Sequence, residues 1–156
     1  MRDNILNDIK PYLSGDYEIF VTGHSLGGAL ASICAFDLAV SGMVDKDRIM
    51  KYTFGEPRVG DPTWATDYDQ YVPHSYRVVH YADIVPHIPH TTCYWFTYLH
   101  SSGEIFYNED FTSYKECGPF EDKTCCNGVD ILKWNVGDHR NYLDYPISRA
   151  CDKPKS

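Results

Sequence analysis

The sequence predicts an α/β fold built on a mostly parallel sheet with flanking helices, and three observations carry that expectation. A β-branched and aromatic run, Ile19-Phe20-Val21, passes into an almost wholly apolar segment, Leu26 to Val40, whose only charge is Asp37. After a Ser41-Gly42 stop, a second strand-like run follows from Arg48 to Phe54, and strand, helix, strand implies a right-handed parallel crossover. A third run, Tyr76 to His80, comes after a loop over Gly55 to Pro62 and a helical segment from Pro62 to Tyr71. At 156 residues the chain is long enough for one domain with a real core, and a second domain is not expected.

Each element has a local reason. Residues 3 to 13 place Ile5, Leu6, Ile9, Tyr12 and Leu13 on one helical face, with Asp3 as a cap and Gly15 as a stop, while Pro11 weakens the last turn. The 19–21 strand meets the 26–40 helix at Ser25, and Gly23 and Gly27 on either side are small enough to let strand and helix pass closely. Past residue 91 the pattern changes. Cys93 to Leu99 and Glu104 to Tyr107 flank Ser101-Ser102-Gly103 and read as an antiparallel hairpin. Residues 108 to 130 carry three cysteines and little periodicity, which predicts a loop held by disulfides. Asp138 to Leu143 reads as a short helical turn, and residues 152 to 156 as a frayed tail.

Composition excludes several classes. The formal net charge is −8 without a Lys/Arg cluster, which argues against nucleic acid and anionic membranes and leaves neutral substrates open. No apolar run approaches the length of a transmembrane span, and the first residues lack the pattern of a signal peptide. Six cysteines stand at 34, 93, 117, 125, 126 and 151. Cys34 sits in the apolar helix as a small hydrophobe, and the other five crowd the loops of the second half, which predicts disulfides and an oxidising compartment. Adjacent cysteines seldom bond to each other, so Cys93 is expected to join one of Cys125 and Cys126, and Cys117 the other. A zinc site at Cys117, Cys125 and Cys126 is the competing reading, weakened by spacing that forms no C-x₂-C pair.

The chemistry gathers at Gly23-His24-Ser25-Leu26-Gly27, a G-x-S-x-G pattern set between a strand and a helix. A serine there is driven into a strained backbone that exposes its hydroxyl, and the Leu26 N–H at the helix start faces a developing negative charge. The competing reading is a plain Ser N-cap, which does not explain glycines on both sides. An attacking serine needs an imidazole, and the imidazole needs a carboxylate, in the chain order Ser, Asp or Glu, His. Asp83, just beyond the third strand at the same sheet edge as Ser25, fits the acid, although it could merely cap a turn before Pro86. His139 fits the base, with His87 and His90 as rivals. His80, Asp83, His87 and His90 form a conceivable metal set without helical H-x-x-x-H spacing. His24, beside the nucleophile, reads as packing.

Val21-Thr-Gly-His-Ser-Leu-Gly-Gly-Ala-Leu30, Thr53-Phe-Gly-Glu-Pro-Arg-Val-Gly60, Arg77-Val-Val-His80 with Asp83-Ile-Val-Pro-His-Ile-Pro89, and Asp138-His139 together resemble the class 3, fungal-type triacylglycerol lipases. The resemblance implies an α/β-hydrolase fold, with Ser25, Asp83 and His139 as nucleophile, acid and base, and Leu26 as an oxyanion-hole N–H. It implies no cofactor and no metal, a neutral lipid or other ester as substrate, action at a lipid–water interface, and a secreted full-length parent. Asp61 departs from the family, which usually has Asn there. The family also places further strands, a lid helix and a second oxyanion donor before the elbow, where this sequence has 24 residues, so residues 1–156 are expected to be a partial domain incomplete at its N-terminal side. Secreted relatives can bridge the region after the histidine to the N-terminal segment, which makes Cys151 a cysteine whose partner is missing. An inactive remnant that binds lipid or a partner, and an acyltransferase or feruloyl-type esterase, are the alternative functions.

Overall fold

The computed structural model describes residues 2–13, 15–93 and 95–147. Along the chain come α1 (Arg2–Leu13), β1 (Ile19–His24), α2 (Leu26–Val40), β2 (Ile49–Phe54), α3 (Pro62–Tyr71) and β3 (His74–His80). Then follow β4 (Thr92–Cys93), β5 (Phe96–Thr97), β6 (Glu104–Tyr107), β7 (Tyr114–Glu116), α4 (Val136–His139), β8 (Asn141–Tyr142) and β9 (Tyr145–Pro146). The main sheet runs β1-β2-β3-β6-β7, and its first four strands are mutually parallel. Its register sets His24 beside Phe54 and Phe54 beside Val78, so three strands end nearly level, and the loops leaving them share one edge.

Alternation along β2 decides what is buried. Ile49, Lys51 and Thr53 face inward under α2, while Tyr52 faces outward and stacks between Phe20 and Tyr76. Ile49 joins Ala35, Leu38, Ala39, Val44, Tyr68 and Val72 in one apolar cluster, against which Leu6, Ile9 and Leu13 of α1 pack. Ile5 and Tyr12, expected on the same face of α1, are exposed. Lys51 is fully buried under α2, where its Nζ donates to Glu56 at 2.8 Å and to Ser32 Oγ at 2.9 Å. Ser32 and Thr53 donate to the same carboxylate, so the buried pair is closed by hydrogen bonds rather than left bare. Asp61 caps α3 by accepting from Trp64 N, with Pro62 in the first turn, so the aspartate does what an asparagine would do there.

Two expectations change. An antiparallel hairpin does close the sheet, but it is made by β6 and β7, not by 93–99 and 104–107. Glu104 to Tyr107 instead continue the parallel sheet beside β3, because Gly103 O accepts from Arg77 N and starts that register, while among the described residues Thr92–Cys93 pair with Phe96–Thr97 alone. The 108–130 stretch therefore contains a strand as well as loop. One disulfide forms there, Cys117–Cys125, whereas Cys93 and Cys126 have no disulfide partner among the described residues. The Cys126 thiol lies buried 3.4 Å from His87 Nε2, which places it under the loop rather than toward β4. Cys34 is half-buried against the core. Cys151 and the tail lie outside the described residues.

The β1 edge carries no partner strand among the described residues. Phe20 on β1 and Leu26, Leu30 and Ile33 on α2 are all more than half exposed, forming an apolar margin. No helix of the described residues is long and apolar enough to cross a membrane.

Candidate active site

Ser25 is held at φ 58° and ψ −130°, a region that side-chain-bearing residues rarely occupy. Its N–H donates to Phe54 O at 2.9 Å, anchoring the turn to β2, and its side chain makes no cap bond to α2. The tight turn demands Gly23, where a Cβ would fall 2.1 Å from Gly27 O. Gly27 was expected to serve the same close approach, but a Cβ there meets nothing within 4 Å among the described residues. The helix glycine that touches a neighbour is Gly28, whose Cβ would sit 3.2 Å from Glu56 Cβ. Leu26 opens α2, so its N–H is among those the helix leaves unpaired.

The three side chains singled out in the sequence come together. His139 Nε2 lies 2.8 Å from Ser25 Oγ, and His139 Nδ1 lies 2.9 Å from Asp83 Oδ2. Asp83 is fully buried; Oδ2 also accepts from Tyr142 OH at 2.5 Å, and Oδ1 accepts from Val85 N at 2.8 Å. The last bond is the turn cap of the competing reading, so one carboxylate both caps the turn and accepts from the His139 ring. Its acceptance at Nδ1 places the imidazole hydrogen there and turns the Nε2 lone pair toward the serine hydroxyl.

Local structure explains the meeting. Asn135 caps α4 through Asp138 N, its own N–H donates to Ala82 O at 2.9 Å, and Asp138 Oδ2 accepts from Ala82 N at 3.1 Å. The histidine turn is thus stitched to the acid loop. The acid loop is held in turn by Arg58, whose guanidinium donates to His87 O, Pro89 O and, in two bonds of 2.7 Å, to Glu121.

The rival residues are engaged elsewhere. His87 stacks on Trp134 at 3.7 Å, His90 accepts from Thr92 N, and the two ring nitrogens of His80 face the carbonyls of Asp138 and Glu109. Among the described residues only Glu104, Cys117 and Cys125 cluster as metal ligands would, and the disulfide consumes both thiols. That bond removes the zinc reading for Cys117 and Cys125.

Two residues in the site, Tyr142 and Gly55, were missed, and His24 was read only as packing. His24 donates to His139 O, Tyr142 holds Asp83, and Gly55 lies under both. The only signals were the spacing of Tyr142 three residues after His139 and a glycine immediately after a strand.

Burial holds the His87 pKa down to about 4, helped by Arg58, and burial with Arg77 and Arg58 holds His100 well below the ordinary 6.5. At these two rings the folded protein therefore takes up fewer protons than the unfolded chain as pH falls below about 6.5. Thermal unfolding should show a plateau above that pH and a falling midpoint toward pH 4, and His87→Phe, which keeps the stack on Trp134, should shallow the decline. A midpoint that is flat between pH 7 and 4 would contradict this.

A family model described as lipase (class 3) matches residues 1–93. The chain belongs to the class 3 lipase family. A lipase of Caenorhabditis elegans is 53% identical over 74 residues, 47% of this chain and 21% of that protein. The lipase of Rhizomucor miehei is 36% identical over 144 residues, 89% of this chain and 38% of that one. Among solved structures, the native Rhizomucor miehei lipase propeptide complex superposes with a TM-score of 0.75 at 34% identity, covering 91% of this chain and 45% of that chain. A fungal lipase–inhibitor complex gives 0.79 at 32% identity, covering 92% and 53%. This class 3 lipase chain thus has the α/β-hydrolase fold, and it spans about two fifths or less of the length of these curated relatives.

Proposed function

We propose that this chain carries the catalytic part of a secreted serine carboxylester hydrolase acting on lipid esters. The observation that supports it most is the unbroken line from Ser25 through His139 to Asp83 at bonding distances of 2.8 and 2.9 Å. Ser25 Oγ attacks the ester carbonyl while His139 Nε2 takes its proton, and Asp83 stabilises the resulting imidazolium. The tetrahedral oxyanion is met by the Leu26 N–H. His139 then protonates the departing alcohol, and water, activated by the same ring, releases the acid from the acyl-serine. No step calls on a metal or cofactor.

The chain is, in this reading, one part of a larger hydrolase domain. The apolar β1 margin and the share of each relative that the chain spans support that reading, in which the second oxyanion donor and any lid belong to other parts of the domain. Secretion is supported by the disulfide and by relatives such as the secreted mono- and diacylglycerol lipase of Fusarium solani.

Substrate class is tested by assaying the full-length protein carrying this chain against emulsified triacylglycerol, diacylglycerol, phospholipid and a feruloyl ester, beside its Ser25→Ala variant. Ser25-dependent release of fatty acid from acylglycerols is expected. A feruloyl ester as the only substrate, or no ester hydrolysis by folded protein, would overturn the lipid reading.

A further inference from the structure

His24 is the residue before Ser25, and its side chain reaches across to α4. Nε2 lies 2.8 Å from the backbone carbonyl of His139. A carbonyl only accepts, so Nε2 carries the hydrogen. The two imidazole rings stack at 4.5 Å with 29° between planes, and Tyr142 closes the edge of His24 at 5.8 Å. Bonds to Asp83 and Ser25 fix the direction of the His139 ring in its own plane. They leave its tilt, and the position of its backbone, to other contacts. The turn that bears it has no core of its own: Ile131, Leu132 and Val136 nearby are all exposed.

We infer that His24 is a positioning residue for the base, its Nε2–H holding the His139 carbonyl and its ring seating the His139 imidazole, so that β1 sets both nucleophile and base. The inference rests on the proposed roles of Ser25, Asp83 and His139. The groups that bear on His24 are His139 on α4 and Tyr142 on β8 by contact, and Asp83 in the acid loop through its charge. Burial holds the His24 pKa below its ordinary value against the opposing pull of the hydrogen bond to the His139 carbonyl and of the Asp83 charge, while the His139 ring adds a smaller lowering, which favours the neutral ring with a single donor.

The test uses the full-length enzyme and a soluble aryl ester, with active sites counted by fluorophosphonate titration. His24→Ala should lower kcat per titrated site by about 30- to 100-fold, the scale of a base displaced by an ångström, with KM nearly unchanged. His24→Gln, whose amide N–H can reach the carbonyl, should recover kcat to within roughly threefold of wild type, and His24→Phe, which keeps the ring without the donor, should fall between. A merely structural role would reduce the amount of titratable enzyme and its thermal midpoint without changing kcat per site. His24→Ala with kcat per site within about twofold of wild type, or His24→Gln no better than His24→Ala, would overturn the inference. If wild-type turnover does not depend on Ser25, the triad reading fails first, and this inference fails with it.

Discussion

Ser25→Ala and His139→Ala should each remove nearly all ester hydrolysis from the full-length enzyme, a loss of about 10⁴-fold or more, while leaving the fold in place. The size follows from the groups acting as one unit. Without the serine there is no acyl-enzyme. Without the imidazole the hydroxyl keeps its proton, so removing either member forfeits nearly the same barrier reduction. Asp83→Asn should cost somewhat less. The amide can still accept from His139 through its oxygen, but it can also present NH₂, which favours the imidazole tautomer with its hydrogen toward Ser25. It also weakens the acceptor that Tyr142 OH now uses. Steady-state rates on a soluble aryl ester check all three, and more than about a tenth of activity left in Ser25→Ala would remove that residue as nucleophile. Unchanged thermal midpoints distinguish lost chemistry from lost structure.

Gly55→Ala is the second large effect, and it makes no change to any reacting group. Gly55 leaves β2 at φ +57°, and a Cβ there would fall 2.6 Å from Asp83 Oδ2, 2.9 Å from His139 Nδ1 and 2.9 Å from Tyr142 OH. Heavy atoms do not approach so closely, so the acid, the base and the tyrosine must all give way. They are fixed to one another, and the shift therefore passes to the His139–Ser25 bond. A displacement near an ångström costs on the order of 10²-fold in rate, and a left-handed alanine adds roughly 1 to 2 kcal/mol of backbone strain. Rate per titrated active site should fall by about 100-fold or more, with a thermal midpoint lowered by several degrees. Wild-type turnover in Gly55→Ala would mean that the triad does not depend on the packing seen beneath it.

Elements with one strong period were legible in the sequence. The apolar, Ala-rich run 26–40 has the bounds of α2, and Pro62 to Tyr71 those of α3, because caps and composition act locally. Partner choice was not local. Glu104 to Tyr107 has the same strand character whether it pairs with 93–99 or with β3, and contacts across 26 or more residues, such as Arg77 N to Gly103 O and Tyr81 N to Tyr107 O, decide it. The cysteines show the same limit: composition announces a disulfide, but which of Cys125 and Cys126 joins Cys117, and whether Cys93 takes part, depends on how the loop lies over His87. At the site, Ser25, Asp83, His139 and Leu26 were named from chemistry and order. Before the family resemblance His139 was the favoured base, with His87 and His90 as rivals; the fold separates them by stacking His87 on Trp134. Gly55 and Tyr142 escaped, and His24 was read only as packing, because their contacts run through backbone space, a second bond to an acid, and a carbonyl 115 residues away.

The central claim is that Ser25 is a nucleophile activated by His139. Its most direct measurement is covalent labelling of the full-length protein by an alkyl fluorophosphonate, with the modified peptide mapped by mass spectrometry. Stoichiometric labelling on Ser25 is expected, with none in Ser25→Ala and labelling slowed by orders of magnitude in His139→Ala. A folded wild-type protein that stays unlabelled, or that labels at another serine, would contradict it.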